Sequence, residues 1–200
     1  MKPSTRKFSI SCAALVAIAP SIALAHPGHE GDHGGLSWDF VGGFLHPLGG
    51  WDHLLAMVAI GLWAAKLGGK ARWAVPMSFV VALIAGAVVG ASGFVLGGLE
   101  QAIAASVVVL GLLIVSAARL PLAAGMAIAA TFAVFHGIAH GSEMPATSSG
   151  FGFGVGFALA TALLHGAGYG IGLLANRAPV WVTQGAGVGL VAAGGLMLAA

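Results

Sequence analysis

The chain has 200 residues, of which 58% are hydrophobic and only 7% charged, with a mean hydropathy of +0.99. A soluble domain carries about 25% charged residues, so there is too little charge here to cover a surface facing water. The net charge of +2 comes from eight basic side chains scattered singly or at loop ends, which argues against a nucleic-acid partner and leaves the lipid bilayer as the expected surroundings.

Residues 1–25 read as a cleaved secretory signal. Lys2, Arg6 and Lys7 form a basic start, a short apolar run follows, Pro20 ends the helix, and Ala23-Leu24-Ala25 gives the small-x-small cleavage pattern. The single cysteine, Cys12, lies inside this segment. After cleavage any metal would therefore be held by nitrogen and oxygen. Residues 26–38 follow as a polar leader that starts His26-Pro27-Gly28-His29-Glu30. His26 and His29 are candidate capture ligands, because cleavage would leave the amine of His26 beside its own imidazole. Pro27 has no N–H and the third residue is Gly28, so the usual three-residue amino-terminal chelate is excluded.

Residues 39–200 form the membrane domain, with apolar segments at 39–65, 75–97, 101–118, 121–141, 151–175 and 179–199. Each is long enough to cross a hydrocarbon layer of about 30 Å. The expected fold is all-α, a polytopic bundle of six transmembrane helices after the signal peptide. Lys66, Lys70, Arg72, Arg119 and Arg177 fall in the first, third and fifth connections, while Asp32, Asp39, Glu100 and Glu143 fall at the opposite face. By the positive-inside rule this places the mature N-terminus in the periplasm and the chain in the inner membrane. Glycines four apart, at 86 and 90, 168 and 172, and 185 and 189, predict close helix contacts. A homo-oligomer remains open. No GxxxxGK[ST] loop is present, so the chain has no visible means of using ATP.

Three clusters put ionisable groups inside apolar segments, where they need a functional reason. The first segment carries His46, Asp52 and His53. Positions seven apart return to nearly the same helical face, although Pro47 with Gly42, Gly43, Gly49 and Gly50 argues against an uninterrupted helix. Trp51 is expected to wall the cavity. The fourth segment carries His136, His140 and Glu143 at i, i+4 and i+7, one stripe that makes a bidentate imidazole grip. The residues between the two histidines are Gly-Ile-Ala, so the general base of a metalloprotease is missing. The fifth segment carries His165. A rise of 1.5 Å per residue puts His46 and His53 roughly 10 and 21 Å along the first helix, and His140 and His136 roughly 5 and 10 Å from the outer end of the fourth. The expectation is a ladder of ligands from the outer surface to the bilayer centre. A neutral imidazole is the metal-binding form, so binding should weaken as pH falls through about 6.5.

At these residues the chain resembles the HupE/UreJ family of nickel permeases. The resemblance rests on the signal peptide, the His26-Pro-Gly-His29 start, the His46-x5-Asp52-His53 element and Phe135-His136-Gly-x-Ala-His140-Gly-x-Glu143. It implies uptake of Ni(II), with Co(II) as the other cargo, for hydrogenase or urease. The ion is then a transported substrate and no cofactor is permanently bound. Two other classes compete: a membrane-embedded zinc hydrolase of the ceramidase type, which needs an open coordination position and a separate base, and a non-transporting metal-binding assembly factor.

Overall fold

A computed structural model describes residues 36–144 and 150–200, with side chains from residue 39 onward. The signal segment and the leader histidines His26 and His29 lie outside the described residues. Seven helices follow in order: α1 (Leu36–Gly49), α2 (Trp51–Leu67), α3 (Ala71–Ala91), α4 (Leu99–Ser116), α5 (Leu122–Glu143), α6 (Gly150–Ala175) and α7 (Val180–Ala199). There is no strand among the described residues. The chain is a multi-pass membrane protein. Helices α3 to α7 are each long and apolar enough to span a bilayer, and α1 with α2, bent by 84° at the break, makes a sixth where the pair counts as one span.

The bend revises the first segment. Pro47 sits inside α1 without an N–H to donate, and four glycines flank it. The chain leaves the helix at Gly50, whose backbone is extended (φ −112, ψ 127), and α2 restarts when Leu54 N donates to Gly50 O. Two adjacent expectations fail with it. His46 and His53 do not share a helical face, since they stand on different helices. Trp51 does not wall the cavity either: at the first position of α2 it is turned outward and is 51% exposed. Helix α1 begins at Leu36, and α3 starts earlier and ends earlier than the 75–97 segment.

The helices pair as α3 with α5, α4 with α7, and α6 with both α1 and α2. Glycine makes these approaches close enough. A Cβ at Gly86 or Gly90 would strike the α5 backbone, and one at Gly137 or Gly141 would strike α3 in return. Gly61 and Gly168 do the same on the α2–α6 seam, and Gly111, Gly187 and Gly194 on the α4–α7 seam. In lipid, where apolar burial gives no net drive, such backbone approach supplies the dispersion contact that holds helices together. The Gly86/Gly90 and Gly168/Gly172 pairs act as expected. Gly185 and Gly189 do not, because nothing lies within 4 Å of where their Cβ atoms would be; on α7 the packing glycines are Gly187 and Gly194. The core fills with Met57, Ile60, Trp63, Phe79, Leu110 and Ile114.

The two ends of the bundle differ chemically. The histidines of α1, α2 and α5 gather where Glu143 ends α5, while Lys66, Lys70 and Arg119 line one cavity at the opposite end. The single-ended placement of the basic residues read from the sequence is thus present in the fold.

Candidate metal centre

Four imidazoles and two carboxylates from α1, α2 and α5 meet at one end of the bundle. His140 is the hub. Its ring centroid lies 4.2 Å from that of His53 and 4.6 Å from that of His46. Its Nδ1 is 3.8 Å from Glu143 Oε2, which in turn is 3.3 Å from His46 Nε2. One ligand atom from each of His46, His140 and Glu143 falls within 4.8 Å of the others, a spacing that one cation could bridge. Glu143 is 61% exposed and His140 is 4% exposed at the side chain, so this trio runs from the surface inward.

The second group lies deeper. His53 approaches His136 at 5.0 Å between ring centroids. Each of these two rings is held by its Nδ1. His53 Nδ1 meets Asp52 Oδ1 at 2.6 Å, and the same oxygen accepts the His53 backbone N–H at 2.8 Å. His136 Nδ1 lies 2.9 Å from the Phe132 carbonyl. A carbonyl can only accept, so the proton is on Nδ1 of His136 and the lone pair is on Nε2. The carboxylate imposes the same tautomer on His53. Nε2 of His53, Nε2 of His136 and both ring nitrogens of His140 are buried and have no hydrogen-bond partner among the described residues. Buried polar atoms are nearly always satisfied, so bare imidazole nitrogens on three histidines with adjoining rings mark a candidate metal centre. Asp52 thus fixes the orientation of the His53 ring, the arrangement by which a carboxylate holds a metal-binding imidazole elsewhere.

Helix α6 builds the wall. Phe153, Phe157, Thr161 and His165 recur every fourth residue on one face. Phe153 stands 5.5 Å from the His46 ring, Phe157 stands 4.4 Å from the His140 ring, and His165 meets Phe79 at 5.1 Å. Phe79 also touches His136 at 5.7 Å, so its ring lies between His136 and His165. Thr161 Oγ1 and both nitrogens of His165 are buried without partners among the described residues. The expected ladder is therefore a compact cluster of six groups with one imidazole set deeper, beyond Phe79. The bend, which carries α1 sideways, is the reason the straight-helix depths do not apply. Tyr169, one turn past His165, belongs to the other end, stacked on Trp73 at 6.3 Å.

The aromatic wall and Thr161 were not read from the sequence as parts of the site. Their four-residue spacing ending on an intramembrane histidine was the signal that could have found them. Met57 is fully buried in the core. Glu100 is exposed in the first turn of α4.

A family model described as "HupE / UreJ protein" matches residues 13–198. Protein HupE of Rhizobium leguminosarum bv. viciae is 41% identical over 194 residues, which is 96% of this chain and 98% of that protein. No solved structure matches.

Proposed function

This chain belongs to the HupE/UreJ family, and from that premise and the geometry above we propose that it is a secondary permease for uptake of Ni(II), with Co(II) as the alternative cargo. One observation carries the proposal: four buried imidazole nitrogens without hydrogen bonds, on His53, His136 and His140, adjoin the surface trio of His46, His140 and Glu143, with the His53 ring 4.2 Å from that of His140 and 5.0 Å from that of His136. The two groups share His140. An ion captured at the mouth can exchange one ligand at a time, with His140 held throughout, and so pass inward without losing its whole shell at once. Borderline divalent ions favour such nitrogen and oxygen donors. His165 is the next donor inward.

In this reading the histidine end faces the periplasm and the basic end the cytoplasm, as the placement of Lys and Arg supports. The leader residues His26 and His29 would act as collectors of the ion, and the chain supplies a metalloenzyme such as hydrogenase or urease. Inward movement of a doubly charged ion gains about 4.6 kcal/mol per 100 mV, which is roughly a thousandfold accumulation. The membrane potential is therefore a sufficient drive. The set of histidines is also short of what a hydrolase needs. Asp52 is committed to His53 and Glu143 to the metal-binding trio, so neither is left as an independent base for a metal-bound water.

The test is accumulation of radioactive nickel by cells expressing the wild type or His53→Ala at matched membrane abundance. A permease loses accumulation in the variant. Unchanged accumulation would point to a hydrolase or a non-transporting metal-binding protein and end the proposal.

A further inference from the structure

The basic end holds a built cavity that metal transport does not explain. It has a volume of about 710 Å³ and is lined by Lys66, Lys70 and Arg119. Lys66 is half-buried and fixed in place, donating from Nζ to Thr183 Oγ1 at 2.9 Å on the α2–α7 seam. No Asp or Glu lines the cavity. Helix dipoles do not compensate either. Helices α2, α4 and α6 end at the cavity through Leu67, Ala117 and Asn176, while α3 and α5 begin there through Ala71 and Leu122. Three negative and two positive termini of about half a charge each leave about half a negative charge against three side-chain cations.

Two further features point to the occupant. Trp63 lines the cavity, is 1% exposed, and its indole N–H has no acceptor among the described residues. A buried donor left open is rare enough to need a reason. Leu67 and Leu113 give the same cavity an apolar wall, of no use to a free anion but suited to an amphiphile. The level in the membrane also fits, since Trp73 and Trp181, in the first turns of α3 and α7, are largely exposed at this end, where indoles mark the headgroup region.

We propose that this cavity binds the phosphate of one anionic phospholipid, with Lys66, Lys70 and Arg119 around the phosphate and the start of the acyl chains against the leucines. Basic pockets between membrane helices bind anionic headgroups by this combination. One consequence rests on the permease reading: an ion leaving at this end passes three cations, and a bound phosphate, with one negative charge, lowers their repulsion. The binding itself does not depend on that reading.

The experiment is native mass spectrometry of the full chain in a neutral detergent, without metal, with phosphatidylglycerol, phosphatidylcholine or inorganic phosphate added. Wild type should retain one phosphatidylglycerol per chain in preference to phosphatidylcholine. Equimolar inorganic phosphate should not displace it. The double variant Lys70→Gln/Arg119→Gln should lower retention about thirtyfold, at roughly fivefold per cation, while Lys70→Arg/Arg119→Lys keeps it. Arg177→Gln removes a charge that does not line the cavity and should change nothing. Equal retention of the two lipids, or equal loss in Arg177→Gln, overturns the site; displacement by free phosphate overturns the lipid as its source. Because no metal is present, these outcomes stand apart from the His53→Ala uptake test.

Discussion

The span α1–α2 and helix α5 each carry two histidines of the centre, and they present them by opposite means. In α5 the helix runs unbroken for 22 residues, and His136 and His140 share a face because they are four apart. In α1–α2 the helix stops at Gly50 and turns through 84°, and His46 and His53 reach the same neighbour, His140, from two directions. Spacing along a sequence predicts a shared face only where the helix persists. Where it breaks, the break itself sets the geometry. One region therefore positions its histidines by helical period, and the other by a hinge.

Removing the group that both regions share should produce the largest effect. His140→Ala takes away the contact to His46, to His53 and to Glu143 together, so nickel accumulation should fall by at least about a hundredfold, beyond the loss typical of an outer-shell partner. Accumulation within threefold of wild type would mean that the two halves do not depend on a common ligand. Asp52→Asn should act more mildly and only on the broken span. It weakens the Nδ1 contact that fixes the His53 ring, and nickel affinity by equilibrium dialysis should drop between about tenfold and a hundredfold with the thermal transition unchanged.

These two regions also divide what was legible in the sequence. The all-helical membrane class, the span count and the one-ended basic charge followed from block lengths and composition, because a bilayer constrains length and charge more strictly than water does. The His136/His140/Glu143 stripe was legible because α5 is regular. The positions of His46, Asp52, His53 and Trp51 were not, since Pro47 and four glycines announce that the helix fails without saying at which residue or through what angle. Gly185 and Gly189 show the same limit. A four-residue spacing marks a face of the helix, but whether a neighbour lies against it is decided by the rest of the bundle.

Two glycine substitutions sharpen the comparison. At Gly50 the backbone is extended and tolerates any side chain, but a Cβ would lie 2.6 Å from Asp52 Oδ1 and 3.0 Å from His53 Nδ1. Gly50→Ala should therefore disturb the carboxylate–imidazole pair and lower nickel accumulation by about tenfold, while the protein unfolds in detergent near the wild-type temperature. At Gly137 on α5 a Cβ would meet backbone atoms of α3, which cannot yield. Gly137→Ala should lower the unfolding temperature or the yield of folded protein before any specific effect on uptake can be read. Matching losses of stability in the two variants would remove the distinction between a hinge that serves the site and a helix that serves the fold.

The smallest effect concerns Thr161, on the wall that both regions face. Its hydroxyl is fully buried and unpartnered among the described residues, and it lies one turn from Phe157 and one turn from His165 on α6. An unsatisfied buried hydroxyl costs about 1–3 kcal/mol, and valine has nearly the same shape without it. If packing alone decided this position, valine would be the better residue. On the permease proposal, the hydroxyl at this position would serve a passing ion between the cluster and His165. Thr161→Val should then raise the unfolding temperature while lowering nickel accumulation about threefold, close to what one neutral hydrogen-bond-strength contact contributes. Thr161→Ser keeps the hydroxyl and should keep the uptake. A stabilised valine variant with wild-type uptake would show that the ion does not touch this face of α6, and would confine the path to the groups that α1, α2 and α5 bring together.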